Sequence, residues 1–337
     1  MDIRDKVSFL SNTDAYPEKP GQVEVIETHI SWIFLTDSFV YKLKKPVRHP
    51  YLDFRTIDAR HTDCLEEVRL NRRLAEDVYL GVIPLTCRDN RLALGMPGHP
   101  VDWLVHMRRL PVARMLDTLI ATGRLQAEEP GRIGEVLGRF YEVLHPVEMD
   151  AEEYRNRFAD DIEENRRELT DQAFGLPAHR IEDVCRAQRR FLGEAAWLLD
   201  ERIASGRVIE GHGDLRPEHV CVLAPPVFID CLEFKREFRV LDAADELAYL
   251  AMECERLGAS WVGHGIFDAY NRITGDAPSP RMVHFYQSFR ATLRAKISIW
   301  HNRDDGVREP EKWVNRANGY LDLAVHHAEQ AGYPDSP

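Results

Sequence analysis

Hydrophobic and polar positions alternate through the first part of the chain, the period of a half-buried strand. Residues 23–29 (VEVIETH), 30–35 and 39–44 read as three such strands, with a turn at Asp37-Ser38 and a stop before Pro46. A short helix over 2–11 precedes them, and the chain breaks at 17–21. From Thr56, a cap, the period lengthens to three and four. Cys64, Glu67, Leu70 and Leu74 share one face of a helix running to about residue 77, and Glu66, Arg69 and Arg73 lie on another. Residues 82–87 and 91–94 form a hairpin about Asp89-Asn90, and 101–107 is the last strand of this region. Helical spacing then dominates over 115–122, 130–145, 151–169 and 181–204, with Gly175-Leu-Pro177 separating the last two. Short β-branched runs follow at 208–209, 220–223 and 227–229, and the turn Ala224-Pro225-Pro226 makes a hairpin of the latter two. A helix opens at 241–250, and three more cover 259–274, 281–302 and 309–331.

Two features of this pattern carry chemistry. Asp214 lies in the loop before the 220–229 hairpin and Asp230 at its end, so the hairpin is expected to bring two carboxylates close together. Carboxylates so held repel unless a cation sits between them. Mg²⁺ suits such a place, since one or two carboxylates plus phosphates usually hold it. Glu67 is the second feature, a carboxylate on an otherwise apolar stripe that needs a partner. Strand 39–44 offers Lys42 and Lys44 on one face. Alternatively, Lys42, Lys44 and Lys45 form a solvated basic edge, and Glu67 sits at the rim of its stripe, paired with a neighbouring arginine.

Composition narrows the picture. The 337 residues suffice for one two-lobed domain or two domains, and 44% hydrophobic residues suffice for a full core. The net charge of −12 falls entirely after residue 110, because residues 1–110 carry equal numbers of acids and bases. That argues against nonspecific nucleic-acid binding. Residues 148–164 hold eight acids against two arginines and read as a solvated helix face. The six cysteines contain no CxxC pair and the 14 histidines no HExxH, so neither a zinc site nor a disulfide framework is indicated. The first residues, MDIRDKVSFL, do not resemble a signal peptide, and no stretch approaches a transmembrane helix; a soluble, cytoplasmic protein is expected.

His212-Gly213-Asp214, His219 five residues after the aspartate, and Ile229-Asp230 together resemble the catalytic segment of aminoglycoside phosphotransferases, protein-kinase-like enzymes that phosphorylate small molecules. The likeness points to an uncharacterised bacterial branch. It implies an α+β, two-lobed fold: an N-lobe over 1–110 with an antiparallel sheet and one helix, binding nucleotide, and a mostly helical C-lobe over 111–337. By the same resemblance Asp214 orients the acceptor hydroxyl, His212 braces its loop, Asp230 binds Mg²⁺, and Lys42, held by Glu67, grips the ATP phosphates. Lys42 is preferred to Lys44 as mid-strand, and Glu66 is the alternative to Glu67. The adenine-reading hinge falls near His106, Met107 and Arg108. Glu246-Leu247-Ala248 resembles the motif that braces the catalytic loop, with Asp242 and Asp245 as alternatives.

Two departures stand out. No GxGxxG separates the first two strands, where Thr28-His29-Ile30-Ser31 stands instead, and His219 occupies a metal-binding position where the family carries Asn. Imidazole nitrogen suits Mn²⁺ beside Mg²⁺. No GxxxxGK[ST] run occurs. The expected activity is transfer of the ATP γ-phosphate to a small-molecule hydroxyl. A nucleotide-binding pseudokinase and a nucleotidyl transferase on the same fold are the alternatives.

Overall fold

The computed structural model describes residues 2–49, 51–303 and 309–332. Helix α1 (Ile3–Leu10) starts at Asp2, whose side chain accepts the N–H of Arg4 and Asp5. Strands β1 (Glu24–Glu27), β2 (Ser31–Leu35) and β3 (Phe39–Lys44) follow as antiparallel neighbours. A small hairpin, β4 (Arg48–His49) and β5 (Leu52–Asp53), leads to α2 (Ile57–Ala75), where Thr56 Oγ1 accepts the Ala59 N–H at 3.2 Å. Strands β6 (Tyr79–Arg88), β7 (Arg91–Leu94) and β8 (His99–Arg108) complete a sheet of order β1-β2-β3-β8-β6-β7. β8 therefore lies between β3 and β6. β6 starts three residues before the expected 82, because an irregularity between Tyr79 and Gly81 breaks the alternation that would have marked it.

The alternation along β3 sorts two environments. Tyr41 and Leu43 join Leu10, Tyr16, Phe34, Leu85 and Leu104 in the core beneath α1. Lys42 and Lys44 fall on the other face, on the side of α2, whose Cys64 and Val68 pack with Val78, Tyr79 and Val105. The sheet thus has an apolar side and a side where apolar packing surrounds buried charge.

Helices α3 (Leu116–Ala121), α4 (Glu129–Val143), α5 (Ala151–Leu169), α6 (Ala178–Glu194) and α7 (Ala196–Ala204) come next. Then follow β9 (Val208–Glu210), the paired β10 (Val220–Cys221) and β11 (Val227–Phe228), and β12 (Val240–Asp242), which pairs with β9. Helices α8 (Ala243–Arg256), α9 (Ser260–Thr274), α10 (Pro280–Trp300) and α11 (Pro310–Ala331) end the described chain. The expected single helix over 181–204 is two, broken at Ala195 with φ −130°. The apolar spacing runs on through Phe191, Leu198 and Leu199, so periodicity could not reveal the break. The expected helix start at 241 is strand, and Asp242 caps α8 through the Ala244 N–H. On α5 and the residues before it, Glu148, Asp150, Glu152, Glu153, Asp160 and Glu163 are exposed, as a solvated face requires.

The architecture is α+β and protein-kinase-like. One compact unit comprises the chain up to Met115 together with His219–Leu223 and Val227–Phe238; the remainder forms a second, mostly helical unit. The hairpin β10–β11 thus counts with the first unit. No helix among the described residues is long and apolar enough to cross a membrane.

The first unit is tied across its sheet by a buried charge. Asp102, fully buried on β8, receives two bonds from Arg60, Nε to Oδ1 and a terminal nitrogen to Oδ2, each 2.8 Å, and one from Lys6 Nζ at 2.7 Å. Removing one partner of such a group strands the others. Asp102→Ala is expected to lower unfolding free energy by about 3–5 kcal/mol. Urea denaturation checks this: the midpoint should fall with the slope unchanged.

Candidate active site

The first cluster forms where β3 faces α2. Glu67 is fully buried on the apolar stripe and serves two lysines: Oε1 lies 3.0 Å from Lys42 Nζ and Oε2 2.7 Å from Lys44 Nζ. The solvated-edge alternative fails for both, since they are 8% and 0% exposed. Glu66 pairs with Arg69 on the exposed face and does not enter the cluster. Burial pushes both ammonium groups towards neutrality. The nearby carboxylates, Asp230 and Glu67 for Lys42 and Glu233 and Glu67 for Lys44, overcome it and hold both well above the ordinary lysine value.

The segment after β11 joins this cluster. Asp230 adopts φ +62°, the left-handed region that Asp tolerates better than most residues. Its N–H donates to Tyr79 Oη at 3.1 Å, and the next N–H, of Cys231, donates to Asn71 Oδ1 at 2.9 Å. Asn71 in turn donates to the Glu67 carbonyl at 2.9 Å. Asp230 Oδ1 lies 3.0 Å from Lys42 Nζ, and Oδ2 lies 3.5 Å from His219 Nε2. Glu233 Oε1 lies 2.5 Å from Lys44 Nζ, and burial pushes its carboxyl up to about 7 against the pull of Lys44. The structure thus brings together Lys42, Glu67, Asp230 and His219. Sequence reasoning weighed Lys44 through its period-two relation to Lys42 and set it aside, and it missed Asp63, Asn71, Tyr79 and Glu233, which carried no signal.

The residues present fit a divalent cation. Lys42 and Lys44 oppose four carboxylates, Asp63, Glu67, Asp230 and Glu233, an excess of negative charge when all are ionised. The Asp230 side chain is the open one, 48% exposed. Among the described residues no group of three or more His, Cys, Asp or Glu side chains is arranged to hold a metal ion. A cation at Asp230 would therefore draw its other ligands from phosphate and water, the usual habit of Mg²⁺.

The main chain of β8 is committed to the sheet. His106 and Met107 are in register with Tyr41 and Val40 of β3 and with Gly81 and Tyr79 of β6, and the Arg108 N–H donates to Val78 at 2.8 Å. The His106 ring stacks on Tyr41, centroids 4.7 Å apart, and burial pushes its imidazole below the ordinary histidine value. The Arg109 N–H donates to Ser38, so Leu110 is the first position past the ladder. The turn that stands for a glycine-rich loop is closed on itself. Thr28 N–H and hydroxyl both donate to the Ser31 carbonyl, and the Ser31 N–H returns to Thr28 Oγ1 at 3.0 Å.

The second cluster belongs to the second unit. β9 and β12 pair and deliver Gly211, whose N–H donates to the Arg239 carbonyl at 2.7 Å. Glu246, fully buried on α8, accepts the N–H groups of His212 and Gly213 on Oε1, each at 2.7 Å, and the Tyr141 hydroxyl on Oε2 at 2.8 Å. A Cβ at position 211 would lie 2.7 and 2.8 Å from these oxygens, so any other residue there must displace the carboxylate. His212 is buried, and its Nδ1 accepts the Asp214 N–H at 3.4 Å. Asp214 is gripped by Arg216 with two bonds of 3.0 Å and accepts the Tyr249 hydroxyl at 3.0 Å. Burial pulls the Arg216 guanidinium down, and Asp214 more than restores it. Arg216 and Tyr249 were not foreseen; Arg216 is local in sequence, but nothing there showed which way it turns. Asp242 and Asp245 pair with Arg202 and Arg290, leaving Glu246 as the loop's acceptor.

Residues 38–280 match the model of a family described as a phosphotransferase enzyme family. The chain is 30% identical over 292 residues to the uncharacterized proteins Rv2004c of Mycobacterium tuberculosis and Mb2027c of Mycobacterium bovis, covering 84% of itself and 56% of each. It thus spans about half the length of the curated relatives it matches. Its fold is similar to the GDP complex of wild-type aminoglycoside 2'-phosphotransferase-IIIa, with TM-score 0.52, 14% identity, and 97% and 99% of the two chains covered. It is similar also to choline kinase from Cryptosporidium parvum Iowa II, with TM-score 0.56, 10% identity, and 97% and 96% covered. At these identities the likeness is one of fold.

Truncating Glu246 leaves two buried N–H groups without their acceptor, at about 1–3 kcal/mol each. Glu246→Ala is expected to lower stability by about 2–5 kcal/mol, read by urea denaturation, and Gly211→Ala to destabilise in the same direction by displacing the same carboxylate. Losses under about 1 kcal/mol for both would show that the loop does not rest on Glu246.

Proposed function

Because the chain belongs to the phosphotransferase enzyme family, we propose that it transfers the γ-phosphoryl group of ATP, with Mg²⁺, to a hydroxyl of a small molecule. The observation that carries this reading is the buried Lys42–Glu67 pair with Asp230 3.0 Å from the same ammonium. Phosphoryl transfer asks a protein mainly for positioning and for charge to meet the phosphate oxygens. Lys42, buried but for 11% of its side chain, binds phosphate oxygens, and Glu67 fixes its direction. Asp230 would hold the cation, and His219, whose Nε2 lies 3.5 Å from Asp230 Oδ2, would act through water or through Asp230 itself. Mg²⁺, when bound, neutralises charge on the phosphates, and His219 would extend metal use to Mn²⁺. Asp214 orients the acceptor hydroxyl and takes up its proton, while Arg216 and Tyr249 hold the carboxylate. His212 braces this loop. Adenine recognition passes from His106–Arg108 to the main chain beginning at Leu110, the first not taken by the sheet. ATP places the reaction in the cytoplasm.

A second reading, nucleotide binding without transfer, is favoured by the Thr28–Ser31 turn, in which the Thr28 N–H and hydroxyl and the Ser31 N–H are spent internally. Nucleotidyl transfer is separated from phosphorylation by the mass added to the acceptor.

Titration of the protein with ATP by calorimetry should show binding that strengthens with Mg²⁺, and Asp230→Ala should abolish the metal dependence. Metal-independent affinity in the wild type would defeat the proposal. In a metabolite-library screen for ATP consumption, Asp214→Asn should lower turnover by roughly 10²–10⁴-fold. Binding with no consumption across the library supports the second reading. Lys42→Met and Glu67→Gln should each cost about as much as the pair together, since coupled groups are not additive. Additive losses in the double-mutant cycle would show that they act separately.

A further inference from the structure

Lys44 has no place in the scheme above, yet it is the most thoroughly buried cation of the first cluster. Its Nζ lies 2.7 Å from Glu67 Oε2, 2.5 Å from Glu233 Oε1 and 2.5 Å from Asp63 Oδ2. The first two are hydrogen bonds; the Asp63 contact is an ion pair without aligned geometry. An ammonium has three N–H bonds, and three carboxylates surround this one. With a side chain 0% exposed, Lys44 has no surface on which to meet a ligand. Lys42 has two carboxylate partners and keeps 11% of its side chain exposed. The two lysines, two residues apart on one strand, therefore do different work.

A buried ion cluster adds little stability over apolar packing of the same volume, because desolvation consumes the Coulombic gain. What it supplies is geometry. Glu233 stands three residues after Asp230, and the stretch is anchored at three of its four residues: Asp230 N–H on Tyr79, Cys231 N–H on Asn71, Glu233 on Lys44. All three anchors lie on the β3–α2–β6 frame that also carries Lys42. Asp230 needs such anchoring, since its left-handed backbone conformation persists only where its surroundings over-determine it.

We propose that Lys44 is a second positioning lysine, which sets the Asp230 carboxylate for its cation by gripping Glu233, while Glu67 couples it to Lys42. This rests on the reading of Asp230 as the metal ligand. The consequence is a separation of effects: loosening Glu233 should harm metal-dependent binding and leave metal-free nucleotide binding alone.

The test compares the full chain with Glu233→Gln and Glu66→Gln. Glu66 lies on α2 beside Glu67 but pairs with Arg69 on the exposed face, outside the cluster. Calorimetry measures ADP affinity with and without Mg²⁺, and peptide-resolved hydrogen exchange follows residues 229–235 in metal-free protein. In Glu233→Gln the gain in affinity from Mg²⁺ should fall at least tenfold, metal-free affinity should stay within twofold, and exchange over 229–235 should accelerate. Glu66→Gln should leave the Mg²⁺ gain within twofold. Wild-type behaviour in Glu233→Gln overturns the proposal. So does an equal loss in both variants, which would mark an effect not specific to the Glu233 anchor. A wild type that binds no nucleotide removes the proposed function and this inference with it. Should Glu233→Gln not fold, Glu233→Asp, which keeps the charge and withdraws it by one methylene, takes the same measurements.

Discussion

A carboxylate with no exposure has to be met by positive charge, and in this molecule Glu67 is met twice. That requirement sets much of the first unit. It obliges β3 to turn two lysines to one face while Tyr41 and Leu43 fill the apolar core on the other. It fixes the rotation of α2, because Cys64 and Leu70 are buried only when Glu67 points at the strand. It also leaves excess negative charge once Asp230 and Glu233 arrive, and only Asp230 opens that charge to solvent. The arrangement suits a divalent cation through electrostatics, with no cage of protein ligands among the described residues.

The second unit solves a similar problem differently. Helix α8 is buried over most of its length, although it carries Asp245, Glu246 and Glu253. Two of these are neutralised by arginines: Asp245 by Arg290, and Glu253 by Arg256 and Arg294 with the Tyr320 hydroxyl. Glu246 is satisfied mainly by N–H groups and a tyrosine, which makes it a structural acceptor for the loop bearing Asp214. The acid excess of the chain lies largely elsewhere, on solvated faces such as that of α5.

Much of this was legible in the sequence, for identifiable reasons. β3 and the helical stripe of α2 are regular, so period put Lys42 and Lys44 on one face and Glu67 on an apolar stripe, and the family resemblance singled out Lys42 and Glu67 as a pair. The short spacings around Asp214 and Asp230 carried the family resemblance. What was not legible depended on contacts distant in the chain or on side-chain direction. Lys44 looked like the lesser lysine because Pro46 follows closely, but its partner Glu233 is 189 residues away. The hinge at His106–Arg108 was placed by strand end, while the committed main chain there follows from β8 lying between two strands, which is a fact of topology. The break at Ala195 passes unnoticed because the apolar spacing continues across it.

The first unit is discontinuous, and this has a bearing on how the chain is made. Lys42, Lys44, Asp63 and Glu67 all emerge from the ribosome early and balance one another in charge. More than a hundred residues of the second unit are then synthesised before Asp230 and Glu233 appear. At elongation rates of about 5–20 residues per second, that interval lasts on the order of ten seconds. For that time Lys44 has only Asp63 and Glu67 of its three carboxylate partners to meet. The last piece to arrive, Val227–Phe238, brings Asp230 and Glu233, so the excess of acid in this cluster appears only as the unit is completed.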